Sequence, residues 1–98
     1  MYLIGYDIQD NQLRKKISDK IIEFGLDRIQ YSVYLGVLST DDLNTLENWL
    51  QQLLPKPTTP NSILIFNLTP LQVKTVKIIG ASKFDISEIV REKITLIF

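Results

Sequence analysis

An α+β fold is predicted for this chain, with elements in the order βαββαβ followed by a strand-rich tail. Two observations predict it. Apolar residues cluster in short segments bounded by turn residues, at 2–8, 27–38 and 61–68, as strands do. Between them, two longer stretches carry apolar residues at helical spacing behind a capping residue. The 98 residues amount to one domain, with a core at about 1–68 and a tail at about 69–98.

Residues 2–8 are aromatic and aliphatic and stop at polar Gln9, Asp10 and Asn11, which reads as a first strand. Asp10 or Asn11 can cap the helix that follows. Its buried stripe is Leu13, Ile17, Ile21 and Phe24, and Gly25 ends it. Residues 27–38, rich in Ile, Tyr and Val, exceed one ordinary strand. They read as two, 27–31 and 33–38, joined tightly near Ser32. Ser39 and Thr40 then open a helix, with Asp41 and Asp42 suited to its positive end. Leu43, Leu46, Leu50 and Leu53 form its apolar stripe, widened by Trp49 and Leu54.

Pro55, Pro57 and Pro60 make a stiff loop before the strand at 61–68. Pro70 fits the start of a short turn or helix. Residues 73–79 suit either the end of that turn or a further strand, and Gly80 stops them. Asp85 can cap a short helix over 85–91, with Glu88 three positions on. Residues 93–98 alternate as a terminal strand. The core order is that of the ferredoxin-like split βαβ arrangement, an antiparallel sheet with both helices on one face.

The first strand says how the two faces differ. Tyr2, Ile4, Tyr6 and Ile8 share the face suited to the helices, while Leu3, Gly5 and Asp7 share the other. A bare second face would be a large apolar patch. A second copy stacked there would cover it, and twofold geometry would bring the two Asp7 side chains together.

Composition limits the chemistry. With no cysteine, disulfides, thiolate metal sites and thiol nucleophiles are excluded. With no histidine, so are Ser-His and Cys-His arrangements and histidine metal sites. Carboxylates, hydroxyls, Lys/Arg or a bound metal remain. The opening residues lack a basic leader and no apolar run is long enough to span a membrane, so a cytoplasmic protein is expected. Net charge is zero, but its distribution is uneven. Arg14, Lys15, Lys16, Lys20 and Arg28 gather in one segment against Asp19, Glu23 and Asp27. Residues 56–83 carry four lysines and no acid, and residues 40–54 carry three acids and no base. The basic group suits phosphate contact, or else a solvated helix face with local ion pairs.

Tyr6-Asp7-Ile8, Asp10, the run from Arg14 to Ile17, Gly25, and the run from Arg28 to Tyr34 together resemble the N-terminal signature of the CRISPR-associated Cas-two family. The family pattern is a strand ending Tyr-Asp-Ile/Val, a basic cluster opening the first helix, a glycine ending it, and Gln-x-Ser-Val-Phe/Tyr on the next strands. The resemblance implies a ferredoxin-like homodimer that holds DNA beside the CRISPR integrase subunit in spacer acquisition. It also implies Mg²⁺-dependent endonuclease activity on single-stranded RNA or duplex DNA. By the same resemblance Asp7 is the metal ligand and catalytic carboxylate, and Arg14, Lys16 and Arg28 are the basic positions. Lys15 joins them in the candidate nucleic-acid contact set. Tyr34 matches the motif's aromatic position, and Tyr6 and Tyr34 are candidates for stacking or for packing behind the site. Lys16 stands where some members have arginine and Tyr34 where many have phenylalanine.

Other readings stay open beside these. Asp7 also suits an ordinary surface carboxylate, and Tyr31 and Tyr34 suit either base stacking or the core. The whole chain also fits a toxin-like metal-dependent ribonuclease or a small-molecule regulatory domain of the same shape.

Overall fold

Ile4, Ile17, Ile21, Tyr34 and Leu46 are fully buried together in the computed structural model, and this cluster fixes how two helices lie on one sheet. The structure describes residues 1–54, 60–80, 85, 86, 88, 90 and 91. Its elements are β1 (Tyr2–Asp7), α1 (Asn11–Glu23), β2 (Asp27–Gln30), β3 (Val33–Gly36), α2 (Thr40–Leu53), β4 (Ser62–Asn67) and α3 (Pro70–Val73). The strands form one sheet in the order β2-β3-β1-β4, and every neighbouring pair is antiparallel. This is the expected ferredoxin-like order.

Local chemistry sets the boundaries. Asp10 caps α1, its carboxylate accepting from Gln12 N at 2.8 Å and Leu13 N at 3.4 Å. Ser39 caps α2 by accepting from Asp42 N. Thr69 and Gln72 form a reciprocal capping box that holds α3 despite its single turn. Asp85 accepts from Glu88 N, and Ile86, Glu88, Val90 and Arg91 are helical, as anticipated. The turn between β2 and β3 passes through Ser32 at φ 67°, and Ser32 O accepts from Tyr6 N at 3.1 Å, which ties it to β1. A bulge between Arg28 and Gln30 interrupts the β2–β3 register.

The two faces of β1 divide as the alternation requires. Tyr2, Ile4, Tyr6 and Ile8 pack with α1 and α2, joined by Ile63 and Ile65 from β4. Leu3 belongs to a second cluster on the opposite side, with Ile29, Val33 and Leu35. Here the structure adds something: Val73, Val76, Ile78, Ile86 and Val90 from the segment after β4 cover part of that face. Residues 76–79 form no strand, which resolves the ambiguity at 73–79 in favour of the end of the turn, followed by an irregular segment that packs through Val76 and Ile78. The cover is incomplete. Leu64 is 61% exposed and Phe66 49% exposed, and both lie on the Gly5 and Leu3 side of the sheet by register. The expected terminal strand at 93–98 and most of the proline loop fall outside the described residues.

Gly36 closes β3 where the chain from α1 passes closest. A Cβ there would stand 2.9 Å from the Leu26 Cα and 2.9 Å from its Cγ, and backbone cannot yield cheaply. Gly36→Ala is expected to destabilise the fold by about 1–3 kcal/mol, read as a lowered midpoint in urea unfolding with unchanged slope. Among the described residues no helix is long and apolar enough to cross a membrane.

Candidate nucleic-acid interface

Strand β1 delivers Asp7 to the rim of the sheet because alternation turns it away from the helices. Its side chain is exposed, and its β4 neighbour in register is Ser62. Asp7, Tyr31, Ser32 and Ser62 line a shallow concavity of about 340 Å³, with Leu64 at its apolar edge. Among the described residues the carboxylate has no hydrogen-bond or ion-pair partner, nor do three acidic groups come together to hold a metal there. Asp10 is occupied as a helix cap and does not join Asp7.

A second concavity of about 290 Å³ adjoins the first, lined by Arg14, Lys15, Arg28, Asn11, Ser18 and Asp19. Tyr6 and Tyr31 line both, so the two form one continuous stretch of surface. Arg28 reaches it because register sets it opposite Tyr34, on the helix side of the sheet edge. The guanidinium carbons of Arg14 and Arg28 lie 5.9 and 5.1 Å from the centre of the Tyr31 ring. Neither arginine forms an ion pair among the described residues. Lys15 is different: it pairs with Asp19 at 2.9 Å on an exposed face, a contact worth little in water. Lys20 pairs with Glu23 and leans over Trp49. Lys16 is exposed and lines neither concavity.

Tyr34 is fully buried, so its ring is closed to any base, and its part is to pack behind Tyr6. Its hydroxyl lies 2.6 Å from Ser18 Oγ and 3.2 Å from the Tyr6 hydroxyl. That chain links α1, β3 and β1 beneath the basic concavity. Burial first, then the hydrogen bond to Tyr34, pushes the Tyr6 phenol above its ordinary value. Tyr6 therefore stays neutral across the physiological range and adds no charge to the concavity.

The structure thus gathers Asp7, Tyr6, Arg14, Lys15 and Arg28 at one end of the sheet and leaves Lys16 apart. Sequence reasoning overlooked Ser18 and Ser62: nothing in the α1 pattern marks Ser18, and Ser62 is brought in by the pairing of β1 with β4.

Relatives place this chain in a family. The family described as CRISPR associated protein Cas2 matches residues 1–76. The CRISPR-associated endoribonuclease Cas2 of Korarchaeum cryptofilum is 30% identical over 82 residues, 84% of this chain and 86% of that protein. CRISPR-associated endoribonuclease Cas2 1 of Francisella tularensis subsp. novicida is 41% identical over 46 residues, 47% of each chain. CRISPR-associated endoribonuclease Cas2 3 of Synechocystis is 40% identical over 53 residues, 54% of this chain and 56% of that protein. The chain spans about half the length of these last two relatives. Among solved structures, the hypothetical protein TT1823 from Thermus thermophilus superposes with a TM-score of 0.67 over 85% of this chain and 93% of its own, at 24% identity. A crystal structure of cas2 gives a TM-score of 0.61 over 84% and 87%, at 23% identity. These two likenesses speak for the fold alone. With the family matched over residues 1–76 of the 98 in this chain and one relative aligned over most of both chains, this chain belongs to the CRISPR associated protein Cas2 family.

Proposed function

We propose that this chain works as a homodimer that holds nucleic acid in CRISPR adaptation, beside the integrase subunit, and can cleave phosphodiester bonds with Mg²⁺. One observation carries the reading: two arginines with no carboxylate partner among the described residues border a concavity that continues to an exposed aspartate likewise unpartnered among them. The endoribonuclease names of the relatives support the cleavage half of it.

Arg14 and Arg28 grip phosphate, since a guanidinium fork matches phosphate oxygens. Lys15 contributes only after releasing Asp19. Asp7 offers Mg²⁺ one carboxylate per protomer, and a twofold partner supplies the second, in keeping with a cation that takes one or two carboxylates and keeps several waters. A bound Mg²⁺ supplies an activated water and offsets charge on the scissile phosphate. Histidine is absent from the chain, and among the described residues no second carboxylate lines the Asp7 concavity to act as general base, so cleavage is expected to be slow.

Binding of a short single-stranded RNA and of duplex DNA, followed by fluorescence anisotropy over a range of salt, tests the holding role. Affinity is expected to fall linearly on a log–log plot, and Arg14→Ala and Arg28→Ala each to reduce the slope by about one. Salt-independent binding, or no binding, removes the proposal.

A further inference from the structure

Tyr31 stands out from every other aromatic residue near the site. It is 65% exposed, whereas Tyr34 is buried and Tyr6 half-buried. Its place is fixed, not frayed: Ser32 turns the chain in the left-handed region, and the Ser32 carbonyl accepts from Tyr6 N. The ring borders both the Asp7 concavity and the basic one. Arg14 and Arg28 flank it at cation–π distance, and Arg28 Nε also donates to Gln30 O at 3.4 Å.

From this geometry, and resting on the nucleic-acid reading above, we propose that Tyr31 is a stacking platform for one unpaired nucleobase, which makes the surface prefer single strands to duplex. Arg14 and Arg28 lie over the exposed ring, so a base takes the π-face as the guanidiniums turn to its phosphates, and stacking asks for no particular sequence. In a duplex the bases already stack on one another, and only phosphates reach the surface. In a single strand a base can turn onto Tyr31. Its own flanking phosphates then fall beside Arg14 and Arg28, because base and phosphates share one sugar. The adjoining Asp7 concavity would receive the next stretch of backbone, so the stacked base sets which phosphodiester lies there.

The test compares Tyr31→Ala, Tyr31→Leu and Tyr31→Phe with wild type on a short single-stranded oligonucleotide and its duplex, at one fixed salt concentration. Tyr31→Ala and Tyr31→Leu are expected to weaken single-strand binding about tenfold and to change duplex binding less than about twofold. Tyr31→Phe keeps both affinities, since the π-face and not the hydroxyl is used. A 2-aminopurine in the single strand should be quenched by wild type and Tyr31→Phe and not by Tyr31→Leu. Equal losses on single strand and duplex would mean that the ring only steadies the arginines, and would overturn the proposal. So would unchanged single-strand binding by Tyr31→Ala. If wild type binds neither probe, the nucleic-acid reading falls and this proposal with it, which separates that failure from the other two.

Discussion

Asp7→Asn is expected to lower Mg²⁺-dependent cleavage by about a hundredfold or more, while dimer and nucleic-acid binding persist. The substitution keeps size and shape and removes the charge. Its structural cost should be slight, because the side chain is exposed and has no partner among the described residues. Surface changes away from special features stay within about 0.5 kcal/mol. The catalytic loss is large because a metal supplies several kcal/mol of charge stabilisation, and each 1.36 kcal/mol is about tenfold in rate. In the proposed homodimer both carboxylates would vanish together, so no partner would compensate. Single-turnover cleavage of labelled RNA and duplex DNA, with and without Mg²⁺, is the measurement. Undiminished cleavage by the variant would move the chemistry away from β1. A second readout avoids activity altogether: Mg²⁺ should raise the thermal midpoint of wild type by relieving repulsion between paired carboxylates, and leave Asp7→Asn unmoved.

Much of this arrangement was legible in the sequence because the signals are local. The alternation of β1 separates Ile4 and Ile8 from Leu3, and the structure sends them to different cores. Asp10, Ser39 and Asp85 announce helix starts because a capping side chain bonds backbone two or three residues on. Other features are long-range. Val73, Val76, Ile78, Ile86 and Val90 follow no simple period, so nothing in the sequence says that they pack with Leu35. The bulge after Arg28 alters which side each β2 residue takes, and with it the meeting of Arg14 and Arg28 at Tyr31. Of the basic residues in one short run, spacing offers Asp19 as a local ion-pair partner, as found for Lys15, but pattern alone cannot say that Lys16 stands aside.

That partial cover by the chain's own tail concentrates the dimer question on what stays open. Leu64 and Phe66 are exposed beside Gly5 on the face that carries Asp7, so a partner placed there buries them and brings both Asp7 groups to a shared seam. Phe66→Glu is therefore expected to dissociate the dimer. A buried carboxylate without a partner costs at least about 2 kcal/mol, and twofold symmetry applies it twice. Together that is about 4 kcal/mol, or roughly a thousandfold in the dimer Kd. Sedimentation equilibrium of wild type and Phe66→Glu reads this directly, with circular dichroism checking that the monomer keeps its fold. Leu64→Glu should act alike, whereas Leu71→Glu, exposed on α3, should leave the dimer intact. Because each protomer brings one carboxylate, cleavage by Phe66→Glu should be lost at low protein concentration and return as concentration restores the pair. A Phe66→Glu protein that stays dimeric would place the interface elsewhere and separate the two aspartates. Cleavage proportional to monomer concentration would show that one Asp7 suffices.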